Sequence, residues 1–298
     1  MTAATFGPVH VALAFDDNFW APAVATMRSI SLASRRPGDL FFHLFHSPLA
    51  AAHTADLDRA GQEFGARLIH HDVLQSAAFR HLAEILAYGS HISGIACARL
   101  FVDRLLDASI GRLVYVDCDV FVRGPIEELA GIDLAGAPLG AVKDPGGLIA
   151  AFGRDLAQRR DLFEPADPYF NSGVLVIDLA AWRAMDVTKR ILGLEERGLL
   201  ARLHGDQQVL NLIFRNNWRR LDGAWNALAC GEDMEALEPR LVHYSGLGKP
   251  WNLLARPPFG RAYRQAMGEG LFWRYLRHRW GHFWRGKASS LFGFKRAS

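Results

Sequence analysis

Short apolar runs alternate along this chain with longer segments of helical period. Val9–Phe15 reads as a strand, Phe19–Ala33 as a helix and Phe41–Phe45 as a second strand, a βαβ opening. The alternation continues through a helix near Ala50–Phe64, a strand at Arg67–His71, a helix around Ile95–Leu106 and the run Leu113–Val116. Leu139–Val142 and Gly173–Ile177 read as strands, Ala180–Glu196 and Asp206–Phe214 as helices, and Arg240–Tyr244 as a last strand. Runs this short and continuously apolar suit a sheet buried on both faces. The predicted class is therefore α/β, with a Rossmann-like, mixed but mostly parallel sheet and flanking helices.

Polar residues fall repeatedly just beyond an apolar run: Asp16, Asp17 and Asn18 after the first, Asp117 and Asp119 after Leu113–Val116, Asp144 after Leu139–Val142. His243 lies within the last run. Open α/β sheets bind ligands outside the carboxyl ends of their strands, so these groups are expected to converge on one crevice.

The chain has 298 residues, room for one α/β domain of 1–255 with a C-terminal region of 256–298. Half the residues are apolar and 22% charged, which excludes a mainly disordered, collagen-like or coiled-coil chain. Cys97, Cys118 and Cys230, an odd set without CxxC, provide neither a disulfide framework nor a zinc cluster, and a reducing, cytoplasmic setting is expected. Met1–Pro8 does not resemble a signal peptide, and no 18-residue apolar stretch is present to span a bilayer.

Charge is distributed unevenly. Residues 271–298 hold seven Lys/Arg and no acid, leaving 27 bases against 31 acids in residues 1–270. A mildly acidic body argues against nucleic acid as a partner. Wound as a helix, Leu271–Arg285 gathers Phe272, Trp273, Tyr275, Leu276, Trp280, Phe283 and Trp284 on one broad arc, with Arg274, Arg277, His278, His282 and Arg285 opposite. That pattern predicts a helix lying on an anionic membrane surface; its rival is a helix packed on the body.

The sharpest chemical signal is Val116-Asp117-Cys118-Asp119-Val120. Two carboxylates at i and i+2 beyond a strand end can share a hard divalent cation such as Mg²⁺ or Mn²⁺, although an isolated DxD is often just a surface turn. In Leu-Val-His243-Tyr-Ser-Gly246-Leu-Gly248-Lys249-Pro250-Trp251, an imidazole precedes two glycines and a lysine. The imidazole shifts metal preference toward Mn²⁺, and the glycines let backbone approach a diphosphate that Lys249 neutralises. A lone histidine is otherwise commonly a satisfied core residue.

Taken together, these residues resemble glycosyltransferase family 8, which includes bacterial lipopolysaccharide α-galactosyl- and α-glucosyltransferases and glycogenin. The likeness runs from about Val9 to Trp251 and implies a GT-A type fold. It also implies that Asp117, Asp119 and His243 bind Mn²⁺, with Mg²⁺ as the alternative, and that Gly246 and Lys249 lie at the phosphates of a UDP-sugar. Ala14, Asp16 and Asn18 resemble the family's uridine-binding turn, where an Asx turn or helix cap is the plainer reading. Arg99 resembles a donor-contacting arginine, with a structural salt bridge as its rival, and Cys118 is placed at the donor with its flanking aspartates. Tyr169-Phe-Asn171-Ser172-Gly173-Val resembles a donor-sugar segment, the alternative being a satisfied amide capping the preceding loop. Asp144 stands where the family keeps a donor-sugar Asp. Gly205-Asp206-Gln207-Gln208 resembles the segment beside the reacting carbon, where Asp206 is equally suited to cap a helix.

The implied reaction transfers galactose or glucose from a UDP-sugar to a hydroxyl of a saccharide or glycolipid acceptor, with retention, at the inner face of the membrane. Gln207, Asp206 and Asp144 are its candidate catalytic residues. Gln208 stands where some relatives carry a second Asp, which favours front-face displacement over a carboxylate nucleophile. Two other classes compete: a haloacid-dehalogenase-like phosphatase using the DxD, and a non-catalytic sugar-nucleotide-binding module.

Overall fold

A computed structural model describes residues 7–86, 94–144, 146, 161–164, 166–203, 205–228, 238–246 and 248–293, with side chains to residue 282. Cys230, His91, and the side chains of Phe283, Trp284 and Arg285 lie outside the described residues. The opening folds as β1 (Val9–Phe15), α1 (Trp20–Ala33), β2 (Leu40–His46), α2 (Ala51–Phe64) and β3 (Arg67–Asp72), close to the expected bounds. After α3 (Ala77–Ile85), the segment expected as a helix over Ile95–Leu106 is instead a 3₁₀ run, Gly94–Phe101, with only the short α4 (Val102–Leu105) behind it. Arg99 lies on the buried side of that tighter coil, and its Nε donates to the Ala96 carbonyl three residues back.

β4 (Arg112–Val116), β5 (Val120–Val122), α5 (Ile126–Ala130), β6 (Leu139–Lys143) and β7 (Phe170–Asp178) follow. The single helix expected over Ala180–Glu196 is two, α6 (Leu179–Ala184) and α7 (Val187–Glu196). Asp186 is the reason: it adopts a left-handed φ of 48°, and its carboxylate accepts from the Lys189 N–H, so it ends one helix and caps the next. The chain closes with α8 (Asp206–Ile213), β8 (Arg219–Arg220), β9 (Ala227–Leu228), β10 (Leu241–His243), α9 (Gly260–Met267) and α10 (Glu269–Gly293).

The main sheet runs β3-β2-β1-β4-β7-β6-β8. Its pairs are parallel except those of β7, which lies antiparallel between β4 and β6. An antiparallel β7 starts at the edge where the parallel strands end, so Asn171 and Ser172 come to the carboxyl ends of β1 and β4. The expectation for Arg240–Tyr244 needs correcting in one respect: β10 is not in this sheet. It forms the centre of a second one, β5-β10-β9.

One face of the main sheet packs Phe79, Leu100, Leu175, Trp182 and Leu210; the other packs Val11, Val24, Phe42, Val114 and Val176. A third cluster joins Trp20 and Tyr244 to Trp251, Tyr263, Phe272, Tyr275 and Leu276. Burying the Phe272 and Leu276 side chains contributes about 1.5–3 kcal/mol each. The boundary expected at residue 255 runs through this packed layer. Trp273 and Trp280 point the other way, 49% and 58% exposed. The apolar arc expected on this helix is thus divided, part facing the body and part facing out, while His278 packs edge-on to Trp20 and Arg274 pairs with Asp56. Among the described residues, no helix is long and apolar enough to cross a membrane.

Three histidines run diagonally over β1, β2 and β3. His43 is hydrogen-bonded to His10 at 2.9 Å and to His71 at 3.2 Å. Burial, then the neighbouring His10 and His71, lowers the His43 pKa to about 3. A folded-state pKa below the unfolded value means that only the unfolded chain gains a proton as pH falls below about 6.5, so stability is full above that pH and declines beneath it. Between pH 7.5 and pH 5, His43 is expected to account for a loss of about 2 kcal/mol. Urea unfolding at both pH values checks this: His43→Gln should narrow the difference by that amount, and an unchanged difference would refute it.

Candidate metal centre and substrate crevice

The DxD turn joins the two sheets. β4 ends at Val116 in the main sheet and β5 begins at Val120 in the small one, so Asp117 and Asp119 occupy the crossing. β10 pairs antiparallel with β5 in a register that sets His243 opposite Val120, which brings His243 beside Asp119 across 124 residues of chain. The crossing is braced from below. Thr26 of α1 donates from Oγ1 to the carbonyls of Cys118 and Val120, both at 2.9 Å, and the Tyr244 N–H donates to the Asp119 carbonyl at 2.9 Å.

One ligand atom from each of Asp117, Asp119 and His243 falls within 4.8 Å of the other two. His243 Nε2 is 3.2 Å from Asp119 Oδ1 and 4.0 Å from Asp117 Oδ2. The other ring nitrogen, Nδ1, is hydrogen-bonded to Asn226 Oδ1 at 3.0 Å, so the neutral ring that donates from Nδ1 presents its Nε2 lone pair to the carboxylates. Two carboxylates and an oriented imidazole are a donor set that fits Mn²⁺ well, and Mg²⁺ less well because of the nitrogen. Lys249 Nζ pairs with Asp119 and donates to the Tyr244 carbonyl at 2.6 Å.

Electrostatics in the site favour the charged forms of His243 and Asp119. Burial alone would pull the His243 pKa down, but Asp119 and Asp117 outweigh it and raise the pKa above the ordinary imidazole value. Burial alone would raise Asp119, yet His243 and Lys249 hold its carboxyl well below the usual carboxylate range. A bound cation therefore replaces positive charge that the site already recruits from the protein.

Arg99 ties the metal side to the other half of the crevice. It is 4% exposed, its Nη2 donates to Asp117 Oδ1 at 2.7 Å and its Nη1 to the Ser172 carbonyl at 2.7 Å, and its Nε forms an ion pair with Asp206 Oδ2 at 2.6 Å. Its guanidinium lies over the Tyr115 ring at 4.5 Å, and the Tyr115 hydroxyl donates to Asp117 Oδ1 at 3.2 Å. Arg99 thus forms ion pairs with both Asp117 and Asp206.

Across the start of β7, Asn171 Oδ1 accepts from the Gly173 N–H at 3.0 Å and from Asn226 Nδ2 at 2.8 Å. Asp144 Oδ2 accepts from Asn171 Nδ2 at 3.4 Å and from Gln207 Nε2 at 3.3 Å. Gln207 Oε1 accepts from the Ser172 N–H at 3.1 Å and from the Ser172 hydroxyl at 3.4 Å. Asp206 does not cap α8; Gly205 stands at that position, and Asp206 in the first turn turns its carboxylate to Arg99.

At the end of β1, Asp16 forms the Asx turn, its Oδ1 accepting from the Asn18 N–H at 2.9 Å. Ala14 lies at the same strand end, and its carbonyl accepts from Cys118 Sγ at 3.7 Å. Between the two aspartates, the Cys118 side chain packs into the core beneath the crevice. Gly246 has a left-handed φ of 84° on the loop to Lys249.

Three contributors are absent from the sequence reading. Asn226 orients His243, and Tyr115 orients Asp117. Gly173 forms the floor: a Cβ there would lie 2.3 Å from His243 Cε1 and 2.8 Å from Asp117 Oδ2. A glycine inside a buried strand is itself a mark of such close approach.

Residues 10–255 match the family described as glycosyl transferase family 8. The chain belongs to that family. Glycosyltransferase GlyF of Streptococcus pneumoniae is 29% identical over 254 residues, 81% of this chain and 57% of GlyF. General stress protein A of Bacillus subtilis is 26% identical, over 86% of this chain and 91% of that protein. In fold, the crystal structure of an active-site mutant of LgtC superposes with a TM-score of 0.71 at 22% identity, covering 88% of this chain and 96% of LgtC. The galactosyltransferase LgtC with donor and acceptor sugar analogues superposes at 0.70 and 23% identity. The family 8 chain thus has the GT-A type α/β fold, and membership displaces the phosphatase reading of its DxD.

Proposed function

We propose that this family 8 protein is a metal-dependent, retaining hexosyltransferase that moves galactose or glucose from a UDP-sugar to a hydroxyl of a saccharide or glycolipid acceptor, such as a lipopolysaccharide or other cell-surface glycan. One observation carries the reading: Asp117, Asp119 and His243 converge over Gly173 beside Lys249, at the carboxyl edge of the sheet. The galactosyltransferase LgtC, which shares the fold, is described in complex with donor and acceptor sugar analogues, and this supports galactose first.

In this reading Asp117, Asp119 and His243 hold Mn²⁺, or Mg²⁺ in its place. Such a cation supplies Lewis-acid neutralisation of the charge that grows on a departing diphosphate. The residues of the chain do the rest. Lys249 brings a second positive charge to the phosphates, with Gly246 allowing their approach. Ala14, Asp16 and Asn18 receive the uridine. Asp144, Asn171 and Ser172 flank the sugar, and Arg99 fixes Asp117 and Asp206 without needing to touch the donor. Gln207 sets its amide oxygen toward the anomeric centre, where a dipole stabilises positive charge but makes a poor nucleophile. The acceptor hydroxyl then attacks on the face the leaving group vacates: its bond to the anomeric carbon forms as the bond from that carbon to UDP breaks, its proton passes to the departing phosphate oxygen, and retention follows.

For membrane attachment, the outward Trp273, Arg277 and Trp280 lie on one face of α10 and lead into the basic residues beyond 283. We place the protein peripherally on an anionic inner leaflet through this face. Liposome flotation checks it: the full chain should float with anionic vesicles, and Trp273→Ser/Trp280→Ser should float less, equal flotation counting against it.

The reaction is tested by UDP release from a panel of UDP-sugars with Mn²⁺, Mg²⁺ or chelator, since slow donor hydrolysis requires no acceptor. Metal-dependent release from UDP-galactose or UDP-glucose is the expected result. Mn²⁺–UDP binding without any release would favour a non-catalytic binding module.

A further inference from the structure

The docked half of α10 touches both loops that bracket the proposed donor site. Toward the first loop, the Tyr275 hydroxyl donates to the Asn18 carbonyl at 3.0 Å, and Tyr275 is 1% exposed. Its ring meets Trp20, the first residue of α1, edge-on at 5.2 Å. Toward the second loop, the same ring meets Trp251 at 6.3 Å, two residues past Lys249, and Arg279 Nη1 donates to Asn252 Oδ1 at 2.7 Å. Phe19 and Trp251 close the gap between the loops, edge to face at 5.8 Å.

The first loop has few other ties. Asp16 and Asn18 bond within the turn, and Asp17 is held sideways by His53 Nδ1 at 2.7 Å and the Ala50 N–H at 3.0 Å. His53 stacks on Trp20 at 3.6 Å, and Asp56, 6% exposed, receives both Trp20 Nε1 at 3.2 Å and Arg274 of α10. Besides the Ala50 N–H and the Phe19–Trp251 contact, the turn is tied into the fold through Tyr275 and through the Trp20–His53–Asp56 group that Arg274 completes.

We infer that α10, through Tyr275, is a positioning element for the nucleotide: it holds the Asp16–Asn18 turn and the Lys249–Trp251 loop at one fixed separation, and so sets donor affinity while leaving the reacting groups untouched. Among the described residues, the hydroxyl and ring of Tyr275 meet Asn18, Trp20 and Trp251 and not the groups at the metal or beside the sugar, so loosening it acts on binding and not on the chemical step. The inference rests on the reading of the turn as the uridine site.

The test compares Tyr275→Phe, which removes one hydroxyl, with Tyr263→Phe. Tyr263 lies in the same aromatic layer, and its buried hydroxyl has no hydrogen-bond partner, so it controls for disturbance of packing. Calorimetric titration with UDP and Mn²⁺, together with KM and kcat for UDP release, is the readout. Tyr275→Phe is expected to raise the UDP dissociation constant and KM about five- to tenfold, corresponding to one hydrogen bond of about 1–1.4 kcal/mol, at unchanged kcat. Tyr263→Phe is expected to change neither. Equal UDP affinity in wild type and Tyr275→Phe, or equal weakening by both variants, overturns the inference. Amide exchange at Asn18 and Phe19 without ligand separates the two levels of failure. A turn loosened by Tyr275→Phe while UDP affinity holds shows that the turn is not the uridine site, and a turn that stays protected shows that α10 does not hold it.

Discussion

Asp119→Ala is expected to lower metal-dependent UDP release by about a thousandfold and to abolish measurable Mn²⁺ binding, while the protein remains folded. Replacing a residue that merely orients a metal ligand costs about 10–100-fold, and Asp119 is itself a ligand in this account. Its carboxylate is also the common partner of His243, at 3.2 Å, and of Lys249, so the mutation removes the group around which both cations are arranged. Without it, the Lys249 charge beside the site is no longer offset by a carboxylate and opposes an incoming cation. Asp119→Asn separates shape from charge: the amide fills the same space but provides one neutral oxygen, and should be impaired nearly as severely. UDP release at saturating donor, with thermal unfolding as a control for folding, gives the answer. Near wild-type release from Asp119→Ala would mean that the DxD is not the metal site.

Gly173→Ala is expected to weaken the same site by a smaller but still large factor, although glycine and alanine differ by one methyl. The new Cβ would stand 2.3 Å from His243 Cε1 and 2.8 Å from Asp117 Oδ2, closer than real Cβ atoms approach such neighbours. Neither neighbour can retreat easily. His243 is fixed by the β5–β10 register and by Asn226, and Asp117 by Arg99 and by the Tyr115 hydroxyl. The methyl therefore pries apart the ligand pair, with an expected 10–100-fold loss of Mn²⁺ affinity and about 1–3 kcal/mol of stability from overpacking. Gly193, with nothing within 4 Å of an added Cβ, provides the control. Unaltered metal affinity in Gly173→Ala would show that His243 and Asp117 are free to rearrange and that the floor is not rigid.

Most of the main sheet was legible because its strands are continuous apolar runs, and burial on both faces demands that pattern. The same logic fails where a strand is short and its pairing is remote. β5 has three residues and β9 two, too few for any period, and the placement of β10 depends on a partner 120 residues away. The split between α6 and α7 escaped because the apolar spacing passes through Asp186 uninterrupted, and only the left-handed conformation of that residue marks the break.

The site divides in the same way. Asp117, Asp119 and His243 announce themselves by residue type at a strand end, whereas Asn226 is an unremarkable amide until β9 and β10 pair and set it against His243 Nδ1. Arg99 could be read as a donor contact or a salt bridge from sequence, since spacing says nothing about which carboxylates surround a guanidinium. Burial between Asp117 and Asp206 favours the structural role. The aromatic tail misled by its breadth: seven residues on one arc suggested one surface, while the fold sends Phe272, Tyr275 and Leu276 inward and Trp273 and Trp280 outward.

The central claim is that Asp117, Asp119 and His243 together hold the divalent cation that carries the donor's diphosphate. Titration of Mn²⁺ followed by electron paramagnetic resonance, with and without UDP, measures this directly in the wild type and in His243→Ala. The account predicts one Mn²⁺ per chain, bound more tightly when UDP is present and at least tenfold more weakly in His243→Ala. Mn²⁺ binding that is indifferent to UDP, or undiminished in His243→Ala, would contradict it.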